Sequence, residues 1–169
     1  MPGGSMAETD PVETAWRIHT ALTDWTGKVD AKAVFALTLE SAALGTLIAV
    51  SGSGHRLGEL DGTLSKILFW LGAALLALAA LASVSVVSPR LRSGPRADGE
   101  NHFVYFGDLR HWDPKLLAER LGQVSPLESL TSQLVTMSHI AWVKHQRVRQ
   151  SLMLAVVGSA SVILAWLLG

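Results

Sequence analysis

The feature that most constrains this chain is an uncharged, almost wholly apolar run from Ile67 to Pro89. A helix rises about 1.5 Å per residue, so about 20 apolar residues cross the roughly 30 Å hydrocarbon core of a bilayer. The run has that length, and it has no polar stripe that could face water. Lys66 and Arg90 flank it, and Trp70 lies near one end, where an amphipathic ring favours the membrane interface. The run therefore predicts a transmembrane helix.

Two further stretches are long and apolar enough to cross a membrane. Residues 33–51 contain one ionisable side chain, Glu40, and no charged residue follows Arg149. The whole chain is 49% hydrophobic and only 17% charged, which is too apolar for an ordinary soluble domain of 169 residues. We therefore predict an all-α membrane protein with three transmembrane helices, at residues 33–51, 66–88 and 149–169.

Capping residues predict that the first and third spans continue as helices beyond the membrane. Asp10-Pro11 and Ser125-Pro126 each place a cap residue before a proline, and the helical pattern that follows runs into a span without a breaker. Asp113-Pro114 marks the start of a shorter helix. The remaining segments are a disordered N-terminus (1–9), a cytosolic helix (10–32), an extracytoplasmic loop (52–65) and a mostly helical cytosolic segment (89–148).

The distribution of basic residues predicts the orientation. If the N-terminus and the Arg90–Arg149 segment share one side, then of the 14 Lys and Arg only Arg56 and Lys66 lie on the other. Basic residues prefer the cytoplasmic side of a membrane. We therefore expect a multi-pass protein of the inner (plasma) membrane with a cytoplasmic N-terminus.

Several function classes are disfavoured by what the sequence lacks. It has no cysteine, so disulfides, thiolate metal sites and cysteine nucleophiles are absent. The formal net charge is zero, which gives no argument for nucleic-acid binding. Nucleotide-binding P-loop, G-x-S-x-G and H-E-x-x-H motifs are missing, and the six histidines are scattered. We expect no catalytic residue, no metal site and no cofactor.

Glu40 allows two interpretations. It lies about 12 Å along the helix from Lys32, and a carboxylate at that depth usually faces protein or water and marks a functional position. It can also serve only to fix helix packing, which is the interpretation we favour. Close packing of another helix is further predicted by a stripe of small residues at Ser41, Gly45 and Ala49.

Polar groups also gather where the first and third spans begin. Asp30 and Lys32 lie at the start of the first span, and Lys144, Arg147 and Arg149 lie at the start of the third. Lys32, Arg147 and Arg149 can simply bind lipid phosphates and set the topology, as most cations beside a membrane span do. Alternatively, lysine could neutralise a small anionic ligand held between helices. In that case Thr26 or Asp30 could hydrogen-bond a base or sugar, and Tyr105 or Phe106 could stack on a ring.

Three motifs together resemble a known family. They are Asp30-x-Lys32-Ala33 entering a span, the aromatic Tyr105-Phe106-Gly107, and Ile140-Ala141-x-x-Lys144 on the helix that runs into the last span. In order and spacing they resemble the membrane-spanning effectors of bacterial Pycsar anti-phage systems, over nearly the whole chain from Thr14 on.

The resemblance implies a function and a site. In that family a phage-responsive pyrimidine cyclase makes cyclic CMP or cyclic UMP. The effector binds the nucleotide at the cytoplasmic face of the inner membrane and impairs the membrane, which causes abortive infection. Carried over to this sequence, it implies nucleotide contacts at Asp30, Lys32, Lys144, Tyr105 and Phe106, to which the polar face of the first helix adds Thr26. His145 stands where an aromatic residue is commoner in the family.

The resemblance also implies partners: a cyclic pyrimidine nucleotide, the lipid bilayer and a cyclase. We further expect a homo-oligomer, packed through stripes such as Ser41, Gly45 and Ala49, and no nucleic acid. Two alternatives stay open. One is a small ion channel or transporter subunit that uses Glu40 and is not gated by a nucleotide. The other is a membrane scaffold that binds a protein through its cytosolic helices.

Overall fold

The computed structural model describes residues 10–52, 62–88 and 104–169, and these residues are almost entirely helical. They form five helices and no strand, which confirms the predicted all-α class. The helices are α1 (Pro11–Gly52), α2 (Thr63–Val87), α3 (Phe106–Leu109), α4 (Pro114–Gln123) and α5 (Leu127–Leu168).

Three of the five helices are long and apolar enough to cross a membrane, as predicted. Helices α1 and α5 each have 42 residues and α2 has 25, and each contains an apolar window of transmembrane length. The extra length of α1 and α5 matches the predicted helical extensions of the first and third spans. The points at which each helix would enter and leave a bilayer stay predictions.

The predicted caps form at three helix starts, and at the start of α5 the Ser125 hydroxyl oxygen accepts from the Leu127 amide at 3.3 Å. The Asp10 carboxylate accepts from the Val12 amide at 3.0 Å, and Asp113 accepts from the amides of Lys115 at 2.9 Å and Leu116 at 3.3 Å. Each aspartate thus satisfies amides that have no partner inside the first turn. Within α1, threonine hydroxyls such as that of Thr20 bond to the carbonyl four residues earlier, so they leave no unsatisfied donor.

Some predicted segments fall outside the described residues. These are the disordered N-terminus, most of the 52–65 loop, and the first part of the 89–148 segment, together with Arg56 and Arg90.

The described chain divides into two compact units. The three-helix unit contains residues 27–52, 62–88 and 143–169, and the short-helix unit contains residues 10–26 and 104–142. Within the three-helix unit one buried cluster joins Val29, Ala33, Val86 and Val148. A second cluster, at the opposite end, is built on Phe69 and Ala165, with Leu47, Leu68 and Val162 packed against it. From the first cluster to the second, residue numbers rise along α1 and α5 but fall along α2. Helix α2 therefore runs antiparallel to α1 and α5 in this unit.

The three-helix unit buries many small side chains and leaves many large apolar ones exposed. Ala33, Ala79 and Ala165 are fully buried, whereas Phe35 is 66% and Ile48 is 74% exposed. This distribution is the reverse of that in a soluble protein and suits helices that pack closely together while lipid covers their outer surface.

A close approach between α2 and α5 uses glycines other than those predicted. A Cβ atom at Gly72 of α2 would lie 2.7 Å from the carbonyl oxygen of Gly158 in α5, so only glycine fits there. The predicted stripe on α1, by contrast, is exposed, and nothing lies within 4 Å of a Cβ placed on Gly45. Within the described part of the chain, Gly45 thus makes no close contact with another helix. Use of the stripe between chains stays a prediction.

Candidate functional site

Two of the predicted site residues form an ion pair in the three-helix unit. The Lys144 ammonium donates to both carboxylate oxygens of Asp30, at 2.6 and 2.8 Å. Lys144 continues the helical face of α5 that carries Ala141 and Val148, and from that otherwise apolar face it reaches the carboxylate of Asp30 on α1. The pair is partly accessible, because 21% of the Lys144 side chain and 37% of the Asp30 side chain are exposed. A solvent-borne anion can therefore reach this lysine.

Lys32 lies beside this pair in the sequence but lines a separate surface feature. It forms one wall of an open groove of about 350 Å³ between α1 and α5, which we call the basic groove. The basic groove is lined by Val29, Lys32, His145, Val148, Arg149, Leu152 and Met153. Lys32 and Arg149 are exposed, and no carboxylate is among the lining residues. The groove therefore presents positive charge above an apolar floor.

The other three predicted site residues belong to the short-helix unit. The Thr26 hydroxyl donates to the Leu22 carbonyl oxygen of its own helix at 2.8 Å and retains its acceptor capacity. The Tyr105 carbonyl oxygen accepts from the amides of Asp108 and Leu109, both at 3.0 Å, and so begins α3. The Tyr105 ring occupies the space that a Cβ atom at Gly107 would need. Phe106 opens α3, and its side chain lies outside the described part of the structure.

The structure thus brings Asp30 and Lys144 into contact and places Lys32 on the same unit. Ligand binding by any of the six residues stays a prediction. No group of three His, Cys, Asp or Glu side chains suited to a metal ion occurs among the described residues.

A second polar layer, which sequence reasoning only partly identified, crosses the middle of the three-helix unit. Glu40 of α1 is 3% exposed, and its Oε1 accepts from the Ser151 hydroxyl of α5 at 2.5 Å. The Ser151 oxygen lies 2.7 Å from that of Ser83 in α2, and both serines are fully buried. Because Ser151 has one proton and gives it to Glu40, Ser83 donates to Ser151. The second carboxylate oxygen of Glu40 has no hydrogen-bond partner among the described residues.

The sequence pointed to Glu40 but gave little sign of the two serines. A hydroxyl can satisfy itself on its own helix, as Ser161 does with the Val157 carbonyl, so serine is common in apolar runs. A buried carboxylate needs hydrogen-bond donors, and Ser83 and Ser151 are among the few side chains in the other two spans that can supply them. This requirement was the feature of the sequence that could have pointed to the two serines.

Comparison with known proteins identifies a family. Residues 14–169 match the family model described as the Pycsar effector protein domain, which is most of the chain. No curated protein and no solved structure matches the chain significantly.

Proposed function

Because the chain belongs to the Pycsar effector family, whose members act in anti-phage defence, we propose that it binds a cyclic pyrimidine mononucleotide and then impairs the inner membrane. The observation that carries the proposal is the family match over residues 14–169, in a membrane protein with three long apolar helices. The family is not a class of enzymes as such, and we expect no catalytic step. The nucleotide, cyclic UMP or cyclic CMP, would act as a signal, and it would dissociate from the protein chemically unchanged.

The ion pair between Asp30 and Lys144 is the proposed recognition element. A cyclic mononucleotide carries one negative charge on its phosphate, which a lysine ammonium can bind through charge-assisted hydrogen bonds. If the phosphate replaces the carboxylate as the partner of Lys144, Asp30 is released to accept from the base or the ribose. Lys32, two residues further along α1, would add a second positive charge. Thr26, Tyr105 and Phe106 stay predicted contacts from the sequence.

Replacement of Asp30 by the phosphate as the partner of Lys144 would couple nucleotide binding to the arrangement of the helices. The pair links α1 to α5 beside the cluster of Val29 and Val148, so a ligand that opens the pair changes how two predicted membrane spans are held together. A ligand shifts such an equilibrium only by its differential affinity for the two arrangements. We propose that the nucleotide-bound arrangement assembles into a homo-oligomer, and that a partner cyclase supplies the nucleotide at the cytoplasmic side, where we place the N-terminus.

A leakage assay tests the proposed function. The full chain is reconstituted into vesicles that contain a self-quenched dye, and cyclic UMP, cyclic CMP, cyclic AMP or cyclic GMP is added. We expect one pyrimidine nucleotide to release the dye, and we expect release to be lost in Lys144→Ala and kept in Lys115→Ala, an exposed lysine of α4. Equal leakage with all four nucleotides, or with none, would contradict the proposal.

The buried layer at Glu40 favours one alternative, an ion channel or transporter subunit that no nucleotide gates. A carboxyl that is 97% buried, with one oxygen unpaired among the described residues, is the kind of group that membrane proteins use to move ions. The same vesicles distinguish this alternative. A conductance that is present without nucleotide and is lost in Glu40→Gln would replace the effector proposal.

A further inference from the structure

The basic groove has a composition that differs from both polar layers, because it combines fixed positive charge with an apolar floor. We infer that this groove binds an acidic phospholipid, whose phosphate contacts Lys32 and Arg149 and whose acyl chain lies against Leu152 and Met153. The inference goes beyond the proposed function, since its ligand is a membrane lipid and not the signalling nucleotide.

The positive charge of the basic groove is not compensated by a carboxylate among the described residues. The carboxylate nearest to Lys32 along α1 is Asp30, and it accepts both of its hydrogen bonds from Lys144. Neither Lys32 nor Arg149 makes an ion pair within the described part of the chain. The groove therefore holds two cationic side chains and no compensating acid. An anion is the complementary occupant, and a guanidinium binds phosphate oxygens in a bidentate manner.

The apolar floor of the basic groove favours a lipid over a free phosphate or a nucleotide. Val29 and Val148 are buried at the floor, while Leu152 is 49% and Met153 is 61% exposed. Leu152 and Met153 lie about one helical turn beyond Arg149, where the uncharged run of α5 begins. Apart from His145 and the two cations, the lining offers no side chain that could hydrogen-bond a base. An amphiphile with an anionic head and a hydrocarbon tail fits both parts of the groove.

A second groove in the same unit serves as an internal comparison. It has a volume of about 380 Å³ and lies between α1 and α2, against Leu47 and Phe69 at the opposite end of the unit. Its lining contains no charged residue. Since the two grooves have similar size, the charges at Lys32 and Arg149 are the main difference between them. We therefore expect headgroup selectivity only at the basic groove.

Native mass spectrometry of the full chain in detergent tests the inference, with dioleoyl-phosphatidylglycerol as the acidic probe and dioleoyl-phosphatidylcholine as the neutral one. We expect tighter binding of the acidic lipid to the unmodified chain. The double variant Lys32→Gln/Arg149→Gln should lose about thirtyfold in affinity for it, because each basic side chain near an anionic group contributes about fivefold. Affinity for the neutral lipid should not change.

The matched control is Lys28→Gln/Arg147→Gln, which removes the same charge from the same two helices but lies outside the groove. We expect it to retain acidic-lipid binding within about threefold. An equal loss in the control and the groove variant would overturn the inference, because it would mean that diffuse surface charge holds the lipid. Displacement of the lipid by millimolar inorganic phosphate would also overturn it, since the acyl chain would then contribute nothing.

A single variant separates this inference from the proposed function. Arg149 is not a predicted nucleotide contact, so Arg149→Gln should weaken acidic-lipid binding about fivefold and leave binding of the cyclic nucleotide unchanged. The lipid titration contains no nucleotide, so it succeeds or fails whether or not the chain responds to cyclic UMP or cyclic CMP. Unchanged lipid binding in both Arg149→Gln and the double variant would contradict the inference.

Discussion

The three-helix unit contains two polar layers that differ in almost every physical respect. The Asp30–Lys144 pair joins two helices through opposite charges and is partly exposed. The layer of Glu40, Ser151 and Ser83 joins three helices through a carboxyl and two hydroxyls, all buried. The layers are about 15 Å apart along α1. They show that one small helical unit can hold one polar contact that solvent reaches and another that it does not.

The difference assigns a different role to each layer. An ion pair that solvent reaches gains little net stability, and its partners can be exchanged for a charged ligand. A buried hydrogen-bonded chain is costly to break, because every group left without a partner keeps its desolvation penalty. We therefore expect ligand binding to depend on the pair and stability to depend on the buried layer.

The largest effect is expected from reversing the ion pair. The double variant Asp30→Lys/Lys144→Asp keeps an opposite-charge pair but moves the cation from α5 to α1. Nucleotide affinity should fall by at least about hundredfold, because the phosphate loses a charge-assisted hydrogen bond and meets a carboxylate instead. Calorimetric titration measures the affinity, and thermal unfolding confirms that the fold is kept. Retained affinity would contradict the prediction. It would show that nucleotide binding requires only an ion pair between positions 30 and 144, and that Lys144 does not contact the nucleotide.

The next effect is expected at Ser151. Ser151→Ala removes the hydroxyl that donates to Glu40 and accepts from Ser83, so the free energy of unfolding should fall by about 2 kcal/mol. Unfolding by titration with a denaturing detergent, followed through tryptophan fluorescence, measures the change. The matched control is Ser161→Ala on the same helix, whose hydroxyl bonds only to its own backbone. If both variants lose the same stability, the buried layer contributes nothing specific.

A smaller loss is expected at the glycine contact between α2 and α5. Gly72→Ala should destabilise the protein by about 1 kcal/mol, because its Cβ would overlap the Gly158 carbonyl and the helices must move apart. Gly45→Ala is the control, since nothing lies within 4 Å of a Cβ at that position. It should be neutral or stabilising by up to about 1 kcal/mol from helix propensity. The same unfolding titration measures both variants, and a Gly45→Ala variant that unfolds more easily would contradict this assignment.

The smallest effect is the stability of the ion pair itself. A double-mutant cycle of Asp30→Ala and Lys144→Ala should give a coupling free energy of about 0.5 kcal/mol, because both side chains are partly exposed. Unfolding titrations without nucleotide measure all four proteins of the cycle. A coupling above about 2 kcal/mol would make the pair a structural element comparable to the buried layer, and the separation of roles would be wrong.

Most of the fold could be predicted from the sequence, because hydropathy and capping residues act locally. Three apolar runs gave the long helices, and Asp10 and Asp113 marked helix starts that the structure contains. The pairings between helices could not be predicted in the same way. Asp30 and Lys144 are 114 positions apart, and nothing in their local spacing indicates that they meet.

The small residues illustrate the same limit of local patterns. A stripe of small side chains marks a surface that permits close packing, but it does not say which helix fills it. The regular stripe around Gly45 is exposed, whereas the single glycines Gly72 and Gly158 form the close contact. Only the three-dimensional arrangement of the helices distinguishes an exposed small residue from one at a helix contact.

Calorimetric titration of the full chain in detergent with cyclic UMP, cyclic CMP, cyclic AMP and cyclic GMP tests the central claim most directly. The account predicts that one pyrimidine nucleotide binds selectively, that Lys144→Ala abolishes binding, and that Lys115→Ala does not. Absence of binding by any of the four to a folded, monodisperse sample, or equal binding by Lys144→Ala, would contradict it.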